Sequence, residues 1–278
     1  MTRESTSNAN RLRRQLLSVA RFEVRKIFAG RRWIAGVVAA YLPLLPMLLA
    51  ILDGDMAESN VQVGEVSLVF AGIFQSYILR LAIFFIAVDT FSRLYRGEIM
   101  EKTLHYYLLA PVRREVILLG KYLAGLLQMA VIFVPATIAA YVMLFVMAGP
   151  RVLEANFING NGISHAISYG AITLLGCVGY GAVFMLLGLV AKNPTIPALM
   201  VLGWESVNIF LPAIFQKFSI IYYLQSICPV PLPFGPLEVI TEPTSPWISV
   251  PGMLVMTALI LLGAAFLMRR SEVSYTND

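Results

Sequence analysis

The chain has 278 residues, of which 58% are hydrophobic and 13% are charged, and its formal net charge is +5. A soluble globular domain carries roughly 25% charged residues, so this composition argues against a soluble domain. Runs of about 20 apolar residues indicate transmembrane helices, and the alternation typical of membrane barrels is absent. The sequence therefore predicts an all-α polytopic membrane protein, a single transmembrane domain over residues 1–278.

The first predicted element is a basic amphipathic helix over residues 11–28. It combines an apolar stripe with a basic face that carries Arg14, Arg21 and Arg25, a pattern typical of a helix in the membrane interface. A simple topology anchor is the alternative. The two interpretations are compatible, because each basic residue near anionic lipid contributes about 1 kcal/mol.

Six apolar segments have the length and composition of membrane-spanning helices. They cover residues 33–52, 66–88, 122–147, 167–190, 196–215 and 251–268. Of the 21 Lys and Arg residues, 18 lie on one predicted side of these segments and two lie in the opposite loops. Basic loops remain in the cytoplasm, so both termini of this multi-pass protein are predicted to be cytoplasmic, in the inner (cytoplasmic) membrane. The net charge is thus a topology signal and does not indicate a nucleic-acid partner.

Polar residues interrupt two of the apolar segments: Gln75 and Arg80 in the second, and Glu205 and Asn208 in the fifth. A charge near the bilayer centre costs about 2.5–3.5 kcal/mol on insertion scales, so a partner or a water path is expected. Arg80 and Glu205 lie at similar predicted depths, which makes a direct pair geometrically feasible. Two interpretations remain open: these residues join helices through hydrogen bonds, or they line a translocation path.

Seven charged residues between positions 96 and 115 form a dense charged block that separates the second and third segments. Residues 97–109 read as an amphipathic helix, and Pro111 ends it because proline cannot continue the hydrogen-bond ladder. A second helix is expected to resume after Val112 and run into the third segment. A short helix on the cytosolic face is suited to receive a partner, and a solvated helix with no partner is the alternative.

The segment before the last span, residues 216–247, is too apolar for a solvated loop. It predicts a short re-entrant or interfacial helix followed by a proline-rich turn on the outside. No phosphate loop is present, so this chain is not expected to bind ATP by that route. His105 and His165 fall on opposite predicted faces, so no catalytic or metal constellation can be assembled around them.

The charged block resembles the signature of ABC transporter type 2 permeases. In that family an acidic residue precedes Thr-Leu, and a Leu pair, a proline, a basic residue and an apolar run to Gly-Lys follow. The matching residues are Glu98, Thr103, Leu104, Leu108, Pro111, Arg114, Leu119, Gly120 and Lys121. Lys102 and His105 depart from the pattern, which often has glycine and an acidic residue there.

The resemblance implies the permease subunit of an ATP-driven ABC exporter. Such permeases have no enzymatic activity of their own and form a translocation path as a homodimer or with a similar permease. A separate ATPase subunit holds ATP and Mg²⁺, and the helix 97–109 would be the coupling helix that contacts it. The residues predicted to couple to the ATPase are Glu98, Glu101, Thr103, Leu104, His105, Tyr106, Tyr107, Leu108, Pro111 and Arg114.

The resemblance extends to the other elements. The helix 11–28 is similar to the connecting helix before the first span, and the segment 216–247 is similar to a hairpin that seals the outer face. An ATPase-driven assembly or maturation system that remodels a membrane component without export is an alternative. An intramembrane enzyme would have only Arg80 and Glu205 as candidate catalytic residues.

Overall fold

A computed structural model of the chain describes residues 2–31, 33–53, 61–100, 112–191, 193, 195–207, 212–232 and 245–270, and every regular element in these ranges is helical. The elements are α1 (Thr2–Ala29), α2 (Trp33–Tyr41), α3 (Leu44–Leu52), α4 (Val63–Ile73), a π-helix (Phe74–Ile83), α5 (Phe84–Met100), α6 (Arg114–Met147), α7 (Pro150–Phe157), α8 (Gly162–Val190), α9 (Thr195–Val207), α10 (Ala213–Gln216), α11 (Ile220–Ile227) and α12 (Pro246–Arg270).

Four of the described helices are long and apolar enough to cross a membrane. They are Val63–Tyr95, Arg114–Met147, Gly162–Val190 and Pro246–Arg270. The pair α2 and α3, which covers the first predicted span, is bent by 52° and would be a fifth. Pro43 lies at this bend, where its ring cannot donate the next helical hydrogen bond. For the described residues, the prediction of an all-helical protein compatible with a membrane is therefore confirmed.

The fifth predicted span, residues 196–215, is not one helix in the described residues. Within the described residues, α9 covers 13 residues, about 20 Å at about 1.5 Å per residue, and the residues next to it at both ends, 194 and 208, lie outside them. Pro212 is extended, with ψ at 149°. A proline in this conformation separates α9 from the short α10, and residues 208–211, with the predicted Asn208, lie outside the described residues.

The second predicted span, residues 66–88, is part of a longer continuous helix. Helix α4, the π-helix and α5 are continuous from Val63 to Met100. Residues 97–100 of the predicted coupling helix are therefore the last turn of α5, and residues 101–111 lie outside the described residues, so a separate helix there stays a prediction. Helix α6 begins at Arg114, directly after the extended Arg113, and runs through the third predicted span.

The bundle is closely packed around Phe91 of α5. A Cβ atom at Gly125 of α6 would lie 2.8 Å from the Phe91 ring, and one at Gly181 of α8 would lie 2.6 Å from it. The ring therefore occupies space that any larger residue at either glycine would fill. Small residues at helix contacts allow three helices to meet at this point.

Several termini meet at one end of the bundle. Helix α1 packs against the first turns of α6, and the last turn of α12 contacts the same turns. We call this the basic end and define it by α1, Arg114–Lys121 and Arg269–Arg270. The opposite end contains α7 and the first turn of α8, which contact each other and α6.

Candidate functional site

Most of the residues predicted to couple to an ATPase fall outside the described residues. These are Glu101, Thr103, Leu104, His105, Tyr106, Tyr107, Leu108 and Pro111. Glu98 belongs to the last turn of α5. The contacts at the basic end therefore describe how the two ends of the charged block are held, through α5 and α6.

The start of α6 and the end of α12 are joined head to tail. Nη1 of Arg114 donates hydrogen bonds to the carbonyl oxygens of Met268 at 3.3 Å and Arg269 at 3.4 Å. These carbonyls belong to the last turn of α12, where a helix leaves its acceptors unsatisfied. In return, the Arg269 guanidinium pairs with the Glu115 carboxylate. Glu115 lies in the first turn of α6 and Arg269 in the last turn of α12, so both charges also have the sign that the helix dipoles favour.

A buried ion pair attaches α1 to α6. Nζ of Lys121 lies 2.6 Å from Oε1 of Glu23, and the two side chains are 0% and 1% exposed. Removing two charges from solvent is costly, and their mutual attraction offsets this cost only when the geometry is good. The pair therefore holds α1 in one position, because sliding or rotation of the helix would strand a buried charge.

The close approach of α1 and α6 depends on Gly120. A Cβ atom at this position would lie 2.6 Å from Cγ1 of Val19 and 2.9 Å from its Cβ atom. Glycine thus brings the helices together where the neighbouring lysine forms its buried bond. The basic residues predicted on the opposite face, Arg14, Arg21 and Arg25, are all exposed.

A second polar contact lies within the bundle, at Glu205. Its carboxylate accepts hydrogen bonds from the backbone N–H groups of Ile220 at 3.0 Å and Ile221 at 3.2 Å, and from the hydroxyl of Ser219. These residues form the start of α11, whose first N–H groups have no partner within the helix. Glu205 is only 6% exposed, so it caps α11 from α9 inside the protein.

Gln75 holds the other end of the same short helix. Its Oε1 atom accepts a hydrogen bond from Nε2 of Gln225 at 3.3 Å, and its own Nε2 donates to the carbonyl of Val230 at 3.5 Å. Ser226 of α11 also bonds Ser249 of α12 at 2.8 Å. Two of the intramembrane polar residues picked out from the sequence thus contact one element, which supports the helix-joining interpretation.

Arg80 lies in the π-helix together with Gln75. A π-helix is rare and occurs frequently at functional sites. In the part of the chain that the structure describes, no ion pair within 4 Å joins Arg80 to Glu205. The Arg80 charge acts on the carboxylate only at longer range, and the direct bonds of Glu205 go to α11.

Sequence reasoning missed the Glu23–Lys121 pair and the role of Ser219. The sequence pattern places Lys121 in the signature that resembles type 2 permeases, and it assigns no role to Glu23. A signal was present, because Glu23 is three residues after Ala20 and four before Ile27, on the stripe of α1 that packs inward. A carboxylate on an apolar stripe among basic residues indicates a buried partner.

The described residues define an all-helical protein with four or five membrane-length helices and polar anchors at its basic end and around α11. No model of a known protein family and no curated protein matches this chain.

The first prediction concerns the buried ion pair. We expect Lys121→Met or Glu23→Leu alone to lower the free energy of unfolding by about 3–5 kcal/mol, because each removes the oppositely charged partner of a buried charge. The double variant should recover much of this loss. Thermal unfolding of the detergent-solubilised protein measures all three.

Arg93→Gln is the matched control. Arg93 pairs with Asp89 at 2.6 Å, but the side chains are 55% and 36% exposed, so its loss should cost about 0–1 kcal/mol. Additive losses in the double variant Lys121→Met/Glu23→Leu would show that the two residues are not coupled.

The second prediction concerns the cap of α11. Glu205→Ala should destabilise the protein by about 1–3 kcal/mol for each buried N–H group left without an acceptor. Because Ser219 shares the same carboxylate, Ser219→Ala should add little once Glu205 is gone. Arg80→Leu should combine with Glu205→Ala more nearly additively. Stronger coupling of Glu205 to Arg80 than to Ser219 in a double-mutant cycle would refute this assignment.

Proposed function

We propose that this chain is the permease subunit of an ATP-driven ABC exporter that works as a dimer with a separate ATPase subunit. The observation that carries the proposal is the convergence of α1, α5, α6 and α12 around the two ends of the charged block. The proposal combines this geometry with the resemblance of Glu98–Lys121 to the type 2 permease signature.

The charged block connects two long helices. Helix α5 ends at Met100 and α6 begins at Arg114, so a force on residues 101–111 acts directly on both. Helix α6 is in turn bonded to α1 through Lys121 and to α12 through Arg114. A partner that displaces the block would therefore act on α5, α6, α1 and α12 together, and this is a means of coupling the partner to transport.

The exposed faces support a pairing role within a membrane. Helix α12 exposes several large apolar side chains, which are 45–66% exposed: Leu254, Val255, Leu259 and Leu262. Only 17% of the most apolar 18-residue stretch of this helix is buried. Such a face is expected to contact lipid tails or a second permease. In the proposed assembly, α12 is available for the dimer contact, while ATP and Mg²⁺ are held by the partner ATPase.

The third prediction tests the ATPase contact. We expect the double variant Leu104→Asp/Tyr107→Asp to abolish co-purification of the proposed ABC ATPase subunit with this chain, because charge on the apolar face of the proposed coupling helix prevents its burial. The amount of chain in the membrane fraction should stay unchanged. Ile158→Asp is the matched control, since Ile158 is 74% exposed at the opposite end of the bundle.

Undiminished capture of the ATPase by the double variant would refute the coupling assignment. If capture is lost as expected but no candidate substrate crosses vesicles that contain both subunits, the assembly or maturation alternative is supported over export.

The orientation proposed for this chain puts the basic end in the cytoplasm of a bacterial-type cell, facing the ATPase. Two exposed residues report on it: Asn159 between α7 and α8 at the opposite end, and Arg13 on α1. Asn159 is preferable to the neighbouring Gly160, where a Cβ atom would lie 2.8 Å from a backbone oxygen.

The fourth prediction follows from that orientation. In intact cells, Asn159→Cys should react with a membrane-impermeant maleimide and Arg13→Cys should react only after lysis. The native cysteines should give little background, because Cys177 is fully buried and burial raises the pKa of the Cys228 thiol to about 12. At neutral pH almost no Cys228 thiolate is present to react. Labelling of Arg13→Cys but not Asn159→Cys in intact cells would reverse the orientation.

A further inference from the structure

A cavity with a mixed lining of charged and apolar residues lies at the basic end, between the last turns of α1, the start of α2 and the last turns of α5. Its volume is about 320 Å³, at the lower end of the roughly 300–1,000 Å³ range of small-molecule sites. A cavity of this size accommodates a headgroup or another small polar group, and it has no room for acyl chains.

Positive charge predominates in the lining. The charged lining residues are Lys26, Arg31, Arg93, Glu23 and Asp89. One of the two carboxylates, that of Glu23, is already neutralised by its buried bond to the α6 lysine. The cavity is therefore complementary to an anion.

Two arginines supply donors for that anion. Arg31 is exposed, and it forms no ion pair with another described residue. Arg93 pairs with Asp89 in an exposed contact on one helix, a type of pair worth little in water. A guanidinium is planar and suited to bidentate binding of phosphate, so both residues can bind a phosphate group without breaking a buried bond.

Part of the cavity lining is apolar. Ile27, Leu94 and Trp33 line it, and Trp33 is the first residue of the apolar α2. Tryptophan is enriched at the boundary between the headgroups and the hydrocarbon of a bilayer. A cavity that combines donors for phosphate with a tryptophan typical of this boundary fits a molecule that is anionic at one end and apolar at the other.

We propose that this cavity binds the phosphate group of an anionic membrane phospholipid. The lipid's phosphate would lie between Arg31 and Arg93, and its acyl chains would extend past Trp33 along the apolar face of α2. The proposal does not depend on an ATPase partner or on transport. It gives the basic end a specific lipid ligand in addition to the general attraction between basic residues and anionic lipid.

Trp33 makes the site measurable in the full chain. Trp204→Phe and Trp247→Phe remove the other two tryptophans, which are 40% and 88% exposed. The resulting protein is reconstituted into phosphatidylcholine bilayers with increasing fractions of brominated phosphatidylglycerol or brominated phosphatidylcholine. We expect stronger quenching of Trp33 by the brominated anionic lipid at equal fraction.

Two charge variants should move this preference in opposite directions. Arg31→Gln should reduce it about fivefold, the change expected for the loss of one basic residue near anionic lipid. Asp89→Asn should increase it, because it removes the carboxylate that competes with phosphate for Arg93. Arg25→Gln, an exposed arginine of α1 that does not line the cavity, should change the preference less than Arg31→Gln.

A filled cavity provides an independent test. Gly97 lines the cavity, and a Cβ atom there would have no neighbour within 4 Å. Gly97→Leu should therefore leave folding intact and abolish the lipid preference. Gly263 of α12 also has no neighbour within 4 Å of a Cβ atom, and Gly263→Leu should retain the preference.

Three results would overturn the proposal. The first is equal quenching by the two brominated lipids. The second is an equal loss of preference in Arg25→Gln and Arg31→Gln, which would show only a diffuse surface charge. The third is a lipid preference that Gly97→Leu leaves unchanged, which would place the lipid outside the cavity. Equal quenching by the two lipids, together with a change in Trp33 fluorescence on adding inorganic phosphate alone, would assign the cavity to a free phosphate anion.

Discussion

The buried Glu23–Lys121 ion pair is the contact on which the basic end depends. It stands beside Gly120, where the absence of a side chain lets α1 approach α6, so one glycine and one lysine fix both the distance and the register of the two helices. The position of α1 then determines the shape of the cavity that it forms with α2 and α5. The position of the first turns of α6 determines where α12 can end, because Arg114 and Glu115 bind the last turn of that helix.

Around α11, the constraint is the hydrogen bonding of the helix backbone. This helix has eight residues, so its first four N–H groups and last four C=O groups, about half of its backbone polar groups, lack a partner within the helix. Non-helical backbone at membrane depth is tolerated only where protein or water satisfies it. Glu205 accepts the first N–H groups and Gln75 binds the far end, so the polar residues that interrupt the apolar segments satisfy a short helix that could not otherwise be buried.

Hydropathy predicted those membrane-length helices whose formation depends only on local sequence. The third and fourth predicted spans, residues 122–147 and 167–190, lie inside α6 and α8, because length and apolar composition suffice to specify such helices. The fifth predicted span, residues 196–215, is not one continuous helix, because Pro212 is extended and α10 begins only after it. The pairing of Glu23 with Lys121 was not predictable in the same way, since 98 residues separate them and only the packing of α1 brings them together.

The residues that carry the resemblance to type 2 permeases fall into two groups: those with a packing role inside this chain, and those in the segment 101–111. Gly120 and Lys121 are explained by the docking of α1, and Arg114 by its bonds to the last carbonyls of α12. Any protein with this arrangement of helices would need residues of these types, whether or not an ATPase binds it. The packing of helices within this chain therefore accounts for that part of the signature. In the proposed assembly, the specificity for the ATPase would come from residues 101–111, which combine apolar residues with the charged Glu101 and Lys102 and join the two helices that a partner would have to move.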